Sequence, residues 1–236
     1  MPNYSFKVNS HRADVCSLNS ALGDVNNSRA TFEKNCLTSL RSLIKGTGWR
    51  KRDSLLFFEF NGFYLEANVF VHRSEPQTRV ECSFKPMAVD RILWNVTGEF
   101  ECLVQPLSFR SFGVGVCATF PLVTADIEVA GDSPSDVAAK VLPCCEAARK
   151  ELCVALDKQP FSDLIGTLLE RGARGNLSTT RIFALIGEGK LDQARAATYL
   201  SLASYGEVSS GFHRVGKSFE HQIIRWLDAN PWAQPS

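Results

Sequence analysis

The chain has 236 residues, 44% hydrophobic and 22% charged, with 26 Lys plus Arg against 25 Asp plus Glu. That composition belongs to a globular chain and excludes collagen, coiled coil and extended disorder. A net charge of +1 lacks the basic excess that draws generic binders to nucleic acid or anionic membranes, so neither partner class is expected.

The opening Met1-Pro2-Asn3-Tyr4-Ser5 has no basic region followed by an apolar run, so no secretory signal is expected. The longest uncharged apolar stretch, Ser111 to Ala125, is too short to cross a bilayer as a helix and is interrupted by Gly113, Gly115 and Pro121. A cytoplasmic location follows as the expectation. There the eight cysteines read as reduced thiols, most of them small buried hydrophobes.

Residues 1–27 are polar and rich in Asn and Ser, which predicts a loosely docked N-terminal segment. From Ser28, a natural cap, Phe32, Cys36, Leu37, Leu40, Leu43 and Ile44 recur at helical spacing until Gly46 and Gly48. Leu55 to Phe60 and Phe63 to Val71 flank Asn61-Gly62, the preferred dipeptide of a two-residue hairpin. The turn pairs Phe60 with Phe63, Phe58 with Leu65 and Leu56 with Ala67 on an apolar face. It pairs Glu59 with Tyr64, Phe57 with Glu66 and Leu55 with Asn68 on a mixed, partly wet one. A one-residue slip would destroy that segregation.

Arg79 to Lys85 alternates as a third strand, with Val80, Cys82 and Phe84 inward and Arg79, Glu81, Ser83 and Lys85 outward. Pro86 opens a helix over Met87 to Val96, closed by Gly98. Leu107 to Phe120 and Leu122 to Val129 are predicted as two further strands. Beyond Gly131, Ser133-Pro134-Ser135-Asp136 starts a helix running to about Lys158, which Pro143 should kink or restart. Helices are predicted over Phe161 to Arg171, Thr179 to Gly187, Leu191 to Tyr205 and Ser218 to Ala229. Strands first and helices afterwards indicate an α+β fold. A helix plus an antiparallel sheet of about five strands (28–131) is followed by a helical region (132–236) packed on it as one globular unit.

Gly211-Phe212-His213-Arg214-Val215-Gly216-Lys217-Ser218 matches the phosphate-binding pattern G-x-x-x-x-G-K-S. Such a loop needs a buried strand before it, and Gly206 to Ser210 is too short and polar to be one. The motif therefore reads as a loop with Ser218 capping the next helix. No C-x-x-C, H-E-x-x-H or G-x-S-x-G occurs, and Cys144 and Cys145, adjacent on a helix, point apart. No catalytic, cofactor-binding or metal-ligating residue emerges, which leans away from an enzyme. Arg50-Lys51-Arg52 after Trp49 reads as a solvated turn. Lys85-Pro86 with Asp90 and Trp94 forms a strand–helix corner with a local ion pair and a core indole. On the outward sheet face Tyr64, Glu66, Arg79, Glu81 and Lys85 combine an aromatic with charges of both signs, which suits a specific protein interface.

Lys85-Pro86-Met87-Ala88-Val89-Asp90-Arg91-Ile92-Leu93-Trp94 and Leu107-Ser108-Phe109-Arg110 carry a resemblance. Ile186-Gly187-Glu188-Gly189-Lys190-Leu191-Asp192-Gln193-Ala194 and Gly216-Lys217-Ser218 extend it over most of residues 28–230. Together they resemble bacterial cytosolic α+β proteins that include immunity-type proteins of polymorphic toxin systems. The resemblance implies a non-enzymatic protein that neutralises a cognate toxin by occluding it, with no cofactor and no catalytic residues. The alternative class is an enzyme or small-ligand binder whose site is assembled only in three dimensions, around His72, Arg110 or the 211–218 loop.

Overall fold

The computed structural model describes residues 30–71, 77–112, 115–172, 177–205, 213–214 and 217–230. The expected N-terminal segment 1–27 and His72 lie outside them. Helical spacing gives α1 (30–43), which buries Cys36 and Leu40, with Ile44 buried just beyond it. Strands β1 (Arg50–Arg52), β2 (Leu55–Phe60), β3 (Phe63–Val71), β4 (Gln77–Pro86) and β5 (Phe120–Glu128) form one antiparallel sheet in sequence order. The hairpin has the expected register, with Phe60 opposite Phe63, Phe58 opposite Leu65 and Leu56 opposite Ala67. Asn61 (φ 49°) and Gly62 (φ 79°) both occupy the left-handed region, as this turn requires.

Two assignments change. Arg50-Lys51-Arg52 is not a turn but the edge strand β1, paired with Leu55–Phe57. The described residues of 107–119 do not form a strand: a 3₁₀ turn (Phe100–Val104) and one turn of helix, α3 (Phe109–Phe112), precede β5, which starts at Phe120 and runs through Pro121. The physical reason lies in its backbone partners. The carbonyls of Arg110 and Cys117 accept from the Lys85 ammonium, and the Cys117 N–H donates to Asp90. Groups so engaged cannot join a ladder, and Gly115 at φ 72° turns the chain away from extended geometry. Residues 107–112 and 115–119, hereafter the strap, cross the sheet instead of entering it.

The helices follow the apolar stripes: α2 (Met87–Thr97), α4 (Pro134–Lys158), α5 (Phe161–Glu170), α6 (Leu177–Gly187), α7 (Leu191–Tyr205) and α8 (Phe219–Ala229). Ser133 and Asp136 form a reciprocal capping box that starts α4. Pro143 does not restart α4, which is one helix of 25 residues. A proline inside a helix costs about 3 kcal/mol. Val137, Val141, Cys145, Ala148 and Leu152 are all at most 1% exposed along this helix, and each large apolar side chain returns roughly 1.5–3 kcal/mol. Packing outweighs the lost bond.

α4 lies against β3, β4 and β5, while α6 packs against α2, α5 and α7, and α8 against α7 and α2. One apolar cluster runs through all these layers, from Leu40 to Leu227, and takes in the inner face of the sheet. No helix among the described residues is long and apolar enough to cross a membrane.

Candidate functional site

The outer face of the sheet, where the sequence places the partner-binding candidates, divides into two ends. At one end the strap and the start of α2 lie over it, and Leu107 and Met87 pack on Leu55, Phe57 and Tyr64. Tyr64 and Lys85 are 0% exposed and Glu66 is 8% exposed. These three side chains are therefore interior, and the expectation that they face a partner is corrected. The strap and the start of α2 cover them.

Lys85 explains why a charge tolerates this position. Its Nζ donates to Asp90 Oδ1 (3.0 Å), the Arg110 carbonyl (2.9 Å) and the Cys117 carbonyl (2.7 Å), which uses all three protons. Asp90 also accepts from Arg110 Nη1 (2.7 Å) and the Cys117 N–H (2.8 Å). Arg110 donates to the Met87 carbonyl (3.1 Å), and its guanidinium lies 5.1 Å from the Trp94 ring centroid. The Trp94 indole N–H reaches the Gly115 carbonyl at 2.8 Å. Burial pushes the neighbouring Cys117 thiol well above its ordinary pKa, so it stays protonated. The Lys85–Asp90 pair expected at the strand–helix corner is present. Arg110, 20 residues beyond Asp90, completes it.

Beside this cluster, Glu66 accepts from three hydroxyls: Ser83 (2.9 Å), Thr119 (2.8 Å) and Ser111. Because the Ser111 proton goes to Glu66, the Tyr64 hydroxyl is the donor in its 2.5 Å contact with Ser111. Burial raises the Tyr64 phenol above its usual pKa, with the Ser111 contact opposing. The network chains sheet to strap, Tyr64 to Ser111 to Glu66, and every group in it has its partner. Its chemistry is adhesion.

The other end of the face is open. Phe70, Arg79 and Asp126 stand in register across β3, β4 and β5, as do Asn68, Glu81 and Thr124. Phe70 is 44% exposed, Glu81 and Thr124 are exposed, and Arg79 donates to both Asp126 oxygens at 2.8 and 3.4 Å. Arg79 and Glu81 thus stay in the candidate surface, and Phe70 takes the aromatic place expected of Tyr64. A second apolar surface has no counterpart in the sequence reading. On the 3₁₀ turn, Phe100, Leu103 and Val104 are 58%, 43% and 85% exposed, while Cys102 between them is buried. The turn is pinned by Glu99 N–H to the Trp94 carbonyl (2.8 Å) and Cys102 N–H to the Glu99 carbonyl (2.9 Å).

Two arrangements that look chemical are structural. Ser162 Oγ lies 3.2 Å from Lys190 Nζ, but hydrogen bonding to Glu188 raises the Lys190 pKa, so its amine is no general base. Glu188 meanwhile accepts from the Ser162 N–H and hydroxyl and caps α5. Of the 211–218 motif, residues 213–214 and 217–218 are described. They pair as β6 (His213–Arg214) and β7 (Lys217–Ser218), with α8 starting at Phe219. Antiparallel pairing of these four residues differs from the strand-to-helix loop that the phosphate pattern requires. No group of three or more His, Cys, Asp or Glu among the described residues is placed to hold a metal ion.

Comparison of the chain with protein-family models, with curated proteins and with solved structures gives no match.

Proposed function

We propose that the chain is a non-enzymatic cytoplasmic binding protein whose partner is another protein, and that the partner is a cognate toxin that it occludes. The observation that supports this reading is the pinned 3₁₀ turn presenting Phe100, Leu103 and Val104 to solvent. Three large apolar side chains on one short turn leave water-exposed area that association would bury. A turn already held by backbone hydrogen bonds loses little conformational entropy on docking. Phe70, Arg79 and Glu81 supply a second face with an aromatic and both charge signs, the kind of surface that selects a partner by electrostatic complementarity. The toxin assignment rests on the sequence resemblance; the partner-binding assignment rests on the exposed turn.

The test is co-expression of a candidate toxin with and without the protein. Protection of the cells should need stoichiometric amounts and should be lost in the double variant Leu103→Glu, Val104→Glu, which changes only exposed side chains and leaves the melting temperature in place. Protection at strongly sub-stoichiometric amounts, or turnover of a small substrate by the isolated protein, would replace this reading with an enzymatic one.

A further inference from the structure

The sheet's β1 edge carries a charge imbalance that the partner reading does not use. Arg41 from α1, Lys45 from the turn after it and Lys51 from β1 line a single cleft of about 390 Å³, together with Gly46, Gly48 and Trp49. No carboxylate among the described residues lines that cleft. None of the three cations has an ion pair among the described residues. Glu33 and Asp53 stand on the adjoining side of Arg41 and Lys51, in a neighbouring depression.

Each cation has an ordinary explanation when taken alone. Arg41 and Lys45 complement the negative end of α1. Lys51 pairs with Leu56, a residue of the core-facing row, and an inward lysine on an edge strand discourages pairing with another chain. Neither explanation requires the three to converge. Convergence carries an electrostatic cost: burial first, and the Arg41 charge second, lower the Lys51 pKa, with Asp53 opposing. A counter-ion in the cleft would relieve it.

The backbone leaves room for such an ion. Gly46 sits at φ 80°, and a β-carbon there would meet nothing within 4 Å, so its main chain is open to close approach. Gly48, at φ 89°, has no alternative, since a β-carbon would fall 2.5 Å from the Phe58 ring. A volume near 390 Å³ is at the small end of ligand cavities, and three positive groups favour an anion carrying more than one charge.

We propose that this cleft is a binding site for a compact diphosphate-type anion, held by Arg41, Lys45 and Lys51. The same chemistry is offered by a free pyrophosphate group and by a phosphorylated lipid headgroup, and the test separates them. Calorimetric titration of the full chain with inorganic pyrophosphate should show saturable 1:1 binding. Phosphatidylcholine vesicles with and without a phosphoinositide form the second arm. Lys51→Met keeps the apolar stem against the core and should weaken binding roughly tenfold, the equivalent of about 1.4 kcal/mol. Arg41→Gln should act similarly. Arg50→Ala removes an exposed charge on the opposite face of β1 and should leave affinity unchanged. Binding to pyrophosphate but not to vesicles assigns a free anion, and vesicle binding that depends on both the phosphoinositide and Lys51 assigns a headgroup. Absence of binding in both arms, or equal losses in Lys51→Met and Arg50→Ala, would overturn the site. Thermal melts of each variant separate lost binding from lost fold.

Discussion

Glu81 is exposed and Arg79 half-exposed, whereas Ser83 and Lys85, the next two residues of the same outward row, lie under the strap. One strand with one alternation meets two environments within about 20 Å, at roughly 3.3 Å per residue. At the open end Arg79 is matched across strands by Asp126, both half-exposed to solvent that screens them. At the closed end they are matched by main chain as well as side chain, since Lys85 takes two carbonyls besides Asp90. The difference teaches that the polar face of a strand is defined by its period, but its exposure is decided by whatever chain crosses it. Here the crossing chain supplies backbone groups because a buried ammonium requires three acceptors and one carboxylate cannot satisfy it.

The largest expected effect comes from breaking the closed end. Asp90→Ala leaves Lys85 and Arg110 buried without a counter-charge and should cost about 3–5 kcal/mol in chemical denaturation. Lys85→Met combined with Asp90→Asn should cost clearly less than the two single changes summed, because the groups share one network. Additive losses would show that the pair is not coupled. Next in size is the hairpin that aligns both ends. Replacing Asn61-Gly62 by Val-Val forces two β-branched residues to positive φ at about 1–2 kcal/mol each. The expected outcome is a markedly lower melting temperature. An unchanged one would remove the register from which both ends are read.

Much of this organisation is legible in the chain. The hairpin register, the strand ending at Pro86, the capping box before α4 and the Lys85–Asp90 pair all depend on residues at most five apart or on one turn, and local spacing carries them. The strap is not legible, because its apolar and polar residues alternate well enough to pass for a strand. What sets it apart is where the Arg110 and Cys117 carbonyls go, a contact across 25 and 32 residues. The same gap misplaced Tyr64, Glu66 and Lys85 on the surface. Ser111 and Thr119, which hold Glu66, carried no spacing signal at all. Lys51 shows a subtler loss: a run of three basic residues hides that the middle one turns toward the core side while its neighbours do not.

A smaller effect isolates the hydroxyl chain between sheet and strap. Tyr64→Phe removes the donor to Ser111 and keeps the ring in its stack on Phe57, 6.4 Å between centroids. Ser111 still donates to Glu66, so one neutral hydrogen bond is lost and about 0.5–1.5 kcal/mol with it. Glu66→Lys at the same place should be far worse, since an ammonium would meet three hydroxyls arranged for a carboxylate and sit within the field of Lys85. Denaturant midpoints for the two variants check the order.

The smallest expected effect is also the sharpest form of the comparison. Glu81→Lys makes the same charge reversal as Glu66→Lys, on the same face of the same sheet. Glu81 is exposed and Glu66 is 8% exposed. Surface substitutions away from caps and networks stay within about 0.5 kcal/mol, so Glu81→Lys should leave the unfolding midpoint nearly unmoved. If the open end meets a partner, the same variant should lower the association rate, with a weaker effect at high salt, because rim charges act on encounter more than on the bound state. A stability loss comparable to that of Glu66→Lys would mean that the open end is covered too, and the division of the face would fall. An unmoved midpoint with slowed association would place Glu81 at the partner's rim and leave the strap as the boundary between the part of the sheet that binds and the part that holds the protein together.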